Sequence, residues 1–223
     1  MFKLCRIFLG IFFVLLISGC ATSSPNKISN PSQAAHLNAV LGMQYFALHE
    51  NLLAQEKLQK ALELDPNSPE ANSAMGYYLW KIGQSDQAKI YYSKASYLAP
   101  NDPDILNAEG VYLCGTGEFK SGIQSFLKAA QIPGFLALGL TYQNAGSCAY
   151  ESGDPELKTR SINYFQKALQ ADPLLPLADL RLAELYFDQK NLAQARIYLK
   201  RFNDIADPTE ESRYLEKQMN FQA

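Results

Sequence analysis

The sequence predicts an all-α fold in which helical hairpins stack in one direction, and three observations carry that prediction. Small residues recur at a fixed spacing: Gly42, Gly76 and Gly110 lie 34 residues apart, and so do Ala61, Ala95 and Ala129. A second set of columns keeps the period, with Ala54, Ala88 and Gly122 in one and Pro66 and Pro100 in another, Pro133 following one residue early. Large side chains, among them Tyr45, Leu58, Tyr92, Phe126 and Phe165, fall where they fill the space between units, while the small ones let two antiparallel helices approach closely. A proline after the second helix of each unit ends it, because proline cannot continue the backbone ladder.

The string Leu41-Gly42-x-x-Tyr45, followed by Ala54-x-x-x-Leu58, Ala61 and Asp65-Pro66, resembles the tetratricopeptide-repeat (TPR) signature. The resemblance implies a right-handed superhelix of about five helix-turn-helix repeats plus a C-terminal capping helix, within a domain over 34–223. The repeats are expected near 35–66, 69–100, 103–133, 137–173 and 176–207, and the cap over 208–220. The fourth repeat is stretched, with 22 residues from Gly146 to Ala168 against 19 from Gly42 to Ala61. The three extra residues are expected in a longer turn around Ser152-Gly153-Asp154-Pro155, and the segment from Pro133-Gly134 to Tyr142 as a helical extension between repeats. The fifth repeat carries Leu182-Ala183-x-x-Tyr186 and Ala195-x-x-x-Leu199. Thr209-Glu210-Glu211 places acidic residues where a helix N-terminus favours them, so a helix should close the stack there.

The first residues have a different character. Met1 to Arg6 carries two positive charges, Ile7 to Ile17 is apolar apart from Gly10, and Ile17-Ser18-Gly19-Cys20 follows. This is the layout of a secretory signal over 1–19, its apolar run being shorter than the roughly 20 residues a membrane-spanning helix needs. The last four residues resemble the bacterial lipobox, which implies that Cys20 is acylated and becomes the new N-terminus. More than one acyl chain makes a stable anchor. Ala21, where aspartate would signal inner-membrane retention, implies the inner leaflet of the outer membrane, facing the periplasm. Residues 20–33, rich in Ser, Pro and Asn, read as a flexible tether.

Charge narrows the function. The chain has 20 Lys and Arg against 22 Asp and Glu, and losing Lys3 and Arg6 with the signal leaves 18 against 22. Without a basic block, nucleic acid is not an expected partner. His36 and His49 stand alone without neighbouring cysteines, so no metal site is expected. Ser125-x-x-Lys128 matches an acyl-enzyme motif but falls inside a repeat helix without the companion strings, so it reads as coincidence. No phosphate loop or nucleophile elbow is present, and no cofactor, small-molecule substrate or enzymatic activity is expected.

Beyond the repeat columns, several strings resemble the type IV pilus biogenesis lipoprotein family, the PilW/PilF group. They are Tyr112-Leu113-Cys114 with Gly117-Glu118-Phe119, Asn144-Ala145-Gly146-Ser147-Cys148-Ala149, Tyr164 to Leu169 with Asp172-Pro173, and Ala195-Arg196-x-Tyr198-Leu199-x-Arg201. The family often carries Asn-Tyr-Gly where this chain has Ala108-Glu109-Gly110. The resemblance implies an outer-membrane lipoprotein that binds a pilus secretin subunit and helps the secretin ring to localise or assemble. The alternative is a general cell-envelope TPR adaptor for peptidoglycan or outer-membrane assembly proteins.

Two cysteines remain once Cys5 is removed and Cys20 is acylated. Cys114 and Cys148 fall near the ends of first helices in adjacent repeats, and in an oxidising periplasm a disulfide is expected, buried free thiols being the alternative. Residues just beyond the small position of each first helix should line the inner groove: Met43 and Phe46, then Tyr77, Trp80 and Lys81, then Val111 with Cys114. Such a groove suits an apolar or amphipathic peptide, with Trp80, the only tryptophan, as an anchor. A clamp for a chain-terminal carboxylate is not expected, because Ser73, Tyr77, Asn107 and Val111 occupy its positions.

Overall fold

The computed structural model describes residues 30–221. Eleven helices and no strand are found among them. They form five antiparallel hairpins: α1 (Pro31–Ala47) with α2 (Asn51–Leu64), α3 (Pro69–Lys81) with α4 (Ser85–Leu98), α5 (Pro103–Gly115) with α6 (Phe119–Ala129), α7 (Leu138–Glu151) with α8 (Pro155–Ala171), and α9 (Pro176–Asp188) with α10 (Leu192–Ile205). A last helix, α11 (Glu210–Phe221), packs on α9 and α10. The expected signal over 1–19, Cys20 and the expected tether up to residue 29 lie outside the described residues.

Each first helix packs on the first helix of the next hairpin, α1 on α3, α3 on α5, α5 on α7 and α7 on α9, whereas no second helix packs on another. The closely spaced layer is therefore the inner one, and the stack curves as a right-handed TPR superhelix around its first helices. Within a hairpin the packing is a small-on-large pair. A Cβ added to Gly110 would stand 2.7 Å from the Phe126 ring, and one added to Gly146 would stand 2.8 Å from Phe165. In the fifth hairpin Ala183 and Leu199, both buried, occupy these columns. Each hairpin then leans on its neighbour through buried rings, so that Tyr92 of α4 stacks on Tyr112 of α5 with centroids 4.6 Å apart.

The helix starts are encoded locally. Ser68, Asp102, Asp154 and Asn30 accept hydrogen bonds from backbone N–H groups of the first turns of α3, α5, α8 and α1, each followed by proline at the first helical position. This corrects the tether boundary: residues 31–33 are the first turn of α1, with the Gln33 N–H donating to Asn30 Oδ1 at 3.1 Å. The same motif corrects the fourth repeat. Its turn is Ser152–Asp154, as short as the others, and the extra residues lengthen α8 to 17 against 14 in α2, α4 and α10. Asp154 caps and Pro155 starts α8 at once, which leaves the insertion nowhere to go but into the helix. Residues 133–137 are loop and not a helical extension, because Gly134 adopts a positive φ of 81° and breaks the helix, and α7 starts at Leu138.

Four of the five hairpin turns share one device. The N–H groups of Glu50, Gln84, Glu118 and Asn191 donate five residues back, to the carbonyls of Tyr45, Leu79, Leu113 and Tyr186, at 2.8–2.9 Å. The residue before each donor is left-handed: Gly83 and Gly117 in the middle hairpins, but His49 (φ 62°) and Lys190 (φ 60°) in the first and last. Side chains beyond glycine are strained in that region, so His49→Gly and Lys190→Gly are each expected to stabilise the fold by about 1 kcal/mol, the relief of strain outweighing the entropy of glycine in the unfolded chain. The two sites are at opposite ends of the stack, so the gains should add. A thermal melt of the double variant checks this, and a lowered midpoint would refute it.

Candidate functional site: the inner groove

The inner wall is built from the faces of α1, α3, α5, α7 and α9 that follow each small residue. Near the hairpin turns of the first three repeats it is aromatic. Phe46 meets Tyr77 edge-on at 6.1 Å, Tyr77 meets Trp80 at 6.0 Å, and Trp80 meets Tyr112 of α5 at 5.9 Å. Phe46, Tyr77 and Trp80 are half-buried: one side of each packs on a core of Leu58, Met75, Tyr78, Leu79 and Tyr92, and the rest stays open. The edge of the Trp80 ring lies over Gly115 so closely that an added Cβ would stand 2.6 Å from its Cη2. Glycine at that place lets the indole cross the seam between α3 and α5. Lys81 folds back with Nζ 4.0 Å from the Trp80 ring centroid and 5.4 Å from that of Tyr77.

The other expected groove residues are placed differently. Met43 is half-buried on α1, one turn before Phe46. Val111 and Cys114 are half-buried and pack against Ile123, Ala145 and Cys148 between the third and fourth repeats. Cys114 is bonded to Cys148, the Cα atoms 5.6 Å apart, so it is not available to a groove ligand. Ser73 is buried. The Ser125 hydroxyl donates to Glu109 Oε2 at 3.1 Å, within the third hairpin and away from Lys128, which is exposed. His36 and His49 are exposed.

Farther along, the wall becomes polar and then charged. Asn107 Oδ1 accepts from the Thr141 hydroxyl at 3.2 Å. The Tyr150 hydroxyl donates to Glu184 Oε2 at 3.3 Å, and Arg181 bridges Glu184 and Glu211 at 2.7 and 2.9 Å. Burial pushes Tyr150 up to about 12, with the neighbouring Glu184 charge adding to it. Burial also raises Glu184, against the opposing pull of Arg181. Lys158 pairs with Asp188 at 2.8 Å. The groove columns expected from sequence end at the third repeat and do not include these groups. Tyr150 and Glu184 stand in the same columns as Trp80 and Tyr77, so continuing the count would have found them.

The arrangement offers an apolar aromatic surface at one end, hydrogen-bonding groups in the middle and fixed charges at the other end. It suits an extended or helical polypeptide lying along the groove. Among the described residues no group of three or more His, Cys, Asp or Glu is placed to hold a metal ion.

Comparison with known proteins agrees with the stacked-hairpin fold. Tetratricopeptide-repeat family models match residues 57–90 and 159–218. No curated protein sequence matches the chain. Among solved structures, PilF of Pseudomonas aeruginosa superposes with a TM-score of 0.79 at 22% identity, covering 86% of this chain and 85% of that one. PilW, described as a widely conserved type IV pilus biogenesis factor, gives 0.74 at 22% identity over 84% of each chain. YrrB, a TPR protein with an unusual peptide-binding site, gives 0.61 at 18% identity over 82% of this chain and 92% of that one. The repeat columns, the stacked hairpins and these likenesses together give the chain a tetratricopeptide-repeat fold, the fold that PilF and PilW also have.

Proposed function

We propose that this protein is a non-catalytic adaptor, anchored through acylated Cys20 to the inner leaflet of the outer membrane, that supports type IV pilus biogenesis by holding a secretin subunit during assembly or localisation of the ring. The observation that carries the reading is the half-open aromatic run Phe46, Tyr77 and Trp80 on the inner wall of a fold that PilW, a pilus biogenesis factor, shares over most of its length. The lipobox-like Ile17-Ser18-Gly19-Cys20 supports the anchor, and the tether that follows gives the domain reach into the periplasm.

The test is deletion followed by a blot for secretin multimers and a twitching assay, with complementation by variants. The wild-type gene should restore both. Tyr77→Ala with Trp80→Ala should fold normally, because both side chains are only half-buried, yet lose most of the multimer signal, since aromatic anchors of this kind each contribute about 2 kcal/mol or more to an interface. Unchanged multimers in the double variant would rule the groove out. Affinity capture that returned peptidoglycan or outer-membrane assembly proteins and no secretin would favour the wider adaptor role.

A further inference from the structure

The aromatic end of the groove has one feature that selects among ligands. Lys81 is in no ion pair among the described residues. On α1, α3 and α5 the acidic residues are Glu70 and Asp104, in the first turns of their helices, and Glu109, which accepts from Ser125. Trp80 stands ten residues after Glu70 on α3, about 15 Å along the axis, and at the hairpin-turn end Glu118 pairs with Lys89 while neither Glu50 nor Asp86 pairs with Lys81. The ammonium therefore rests on the Trp80 ring, in contact with water.

An apolar side chain that entered this corner would meet an obstacle. It would either trap the ammonium unpaired under the ligand, which is costly, or have to displace it to a place where it gains nothing. A ligand with a basic group would be repelled. A ligand with a carboxylate beside its apolar side chain solves both problems, because the carboxylate draws Lys81 off the ring and the vacated ring face receives the apolar group.

We propose that the groove recognises a polypeptide segment in which an apolar or aromatic residue lies within one or two positions of an aspartate or glutamate, the carboxylate pairing with Lys81 and the apolar side chain seating on Trp80. This differs from a clamp for a chain end, which would need polar groups where Ser73 is buried and Tyr77 stands. The proposal rests on the groove being the partner site.

Selection of binders from a random dodecapeptide phage library on the full-length chain in detergent tests it. Wild type should enrich peptides that place Asp or Glu beside Leu, Phe or Trp. Those peptides, synthesised with blocked ends, should bind about tenfold more weakly to Lys81→Met, and selection on Lys81→Glu should exchange the acidic preference for Lys and Arg. Fluorescence of Trp80, the sole tryptophan of the protein, reports binding of the peptides that contain no tryptophan, and calorimetry reports the rest and the Trp80 variant. Peptides without acidic enrichment, or equal affinity for Lys81→Met, would overturn the charge requirement and leave the groove standing. Peptides that bound Trp80→Ala as tightly as wild type, or a selection that yielded no binder, would overturn the groove reading and this inference together.

Discussion

Replacing Cys114 and Cys148 with alanine is expected to lower stability by about 4 kcal/mol. The bridge closes a loop of 34 residues, and loop-closure entropy of that size in the unfolded chain corresponds to roughly this amount. For a chain of this length the melting midpoint should fall by roughly 10 °C. The structure has made room for the bridge. In the column that holds Ala54 and Ala88 the third repeat has Gly122, and a Cβ there would run into Cys114 Sγ and stand 2.9 Å from the Gly110 carbonyl. The position of the bond matters as much as its size. It joins α5 to α7 across the junction where the 133–137 loop interrupts the regular spacing of hairpins. Repeat proteins hold together through nearest-neighbour interfaces, so a weakened junction lets the two sides unfold separately. Hydrogen exchange on the alanine variant should then show hairpins one to three and hairpins four, five and α11 opening as separate blocks. A single cooperative transition with an unchanged midpoint would mean that packing of Val111, Ala145 and Ala149 already suffices there.

Why some of this was legible in sequence and some was not follows from the range of the forces. The hairpins were legible because each is set by local signals, such as Ser68-Pro69 and Asp102-Pro103 at helix starts and the Gly110–Phe126 pair between helices, and these repeat at a fixed period. The fourth repeat misled for the same reason. Gly153 looked like the centre of a longer turn, but Asp154-Pro155 is a stronger helix start than Gly153 is a loop signal, so the insertion became helix. At the site, Phe46 and Trp80 share one 34-residue column and Tyr77 follows the small residue Gly76, so their edge-on contacts along the first helices are legible in the spacing. Val111 and Cys114 continue the columns of Tyr77 and Trp80, but the bond from Cys114 to Cys148 and the packing of both residues on Ile123 and Ala145 depend on the neighbouring repeat, which the columns do not encode. The Lys81 contact with Trp80 depends on Gly115, 34 residues after Lys81, and no local pattern announces it.

Replacing Arg201 with leucine is expected to cost about 3 kcal/mol at neutral pH, because it strands a buried carboxylate. Asp179, in the first turn of α9, is fully buried; its Oδ1 accepts from Arg201 Nε of α10 at 2.8 Å, and its Oδ2 has no protein partner. Burial already holds the Asp179 pKa above the usual carboxylate range, and Arg201 pulls the other way. An acid whose folded pKa is raised contributes stability that is fully present below the unfolded pKa and is lost as pH rises through the folded pKa. Without Arg201 only the raising cause remains, so the folded pKa climbs further and the loss at neutral pH deepens. The deficit of the variant should therefore be largest near pH 7 and shrink as pH falls toward the unfolded carboxylate value of about 4. Adding Asp179→Asn to Arg201→Leu should recover most of the lost stability and flatten the pH dependence of what remains. Denaturant titrations at pH 7 and 4.5 separate this from the loss of the guanidinium lying 5.8 Å from the Tyr198 ring, which would give a deficit independent of pH. The pair ties the two helices of the last hairpin together, and α9 also carries Arg181 and Glu184 on the inner wall. A stranded Asp179 would thus loosen the charged end of the groove while leaving the aromatic end, on the other side of the disulfide-clamped junction, as it is.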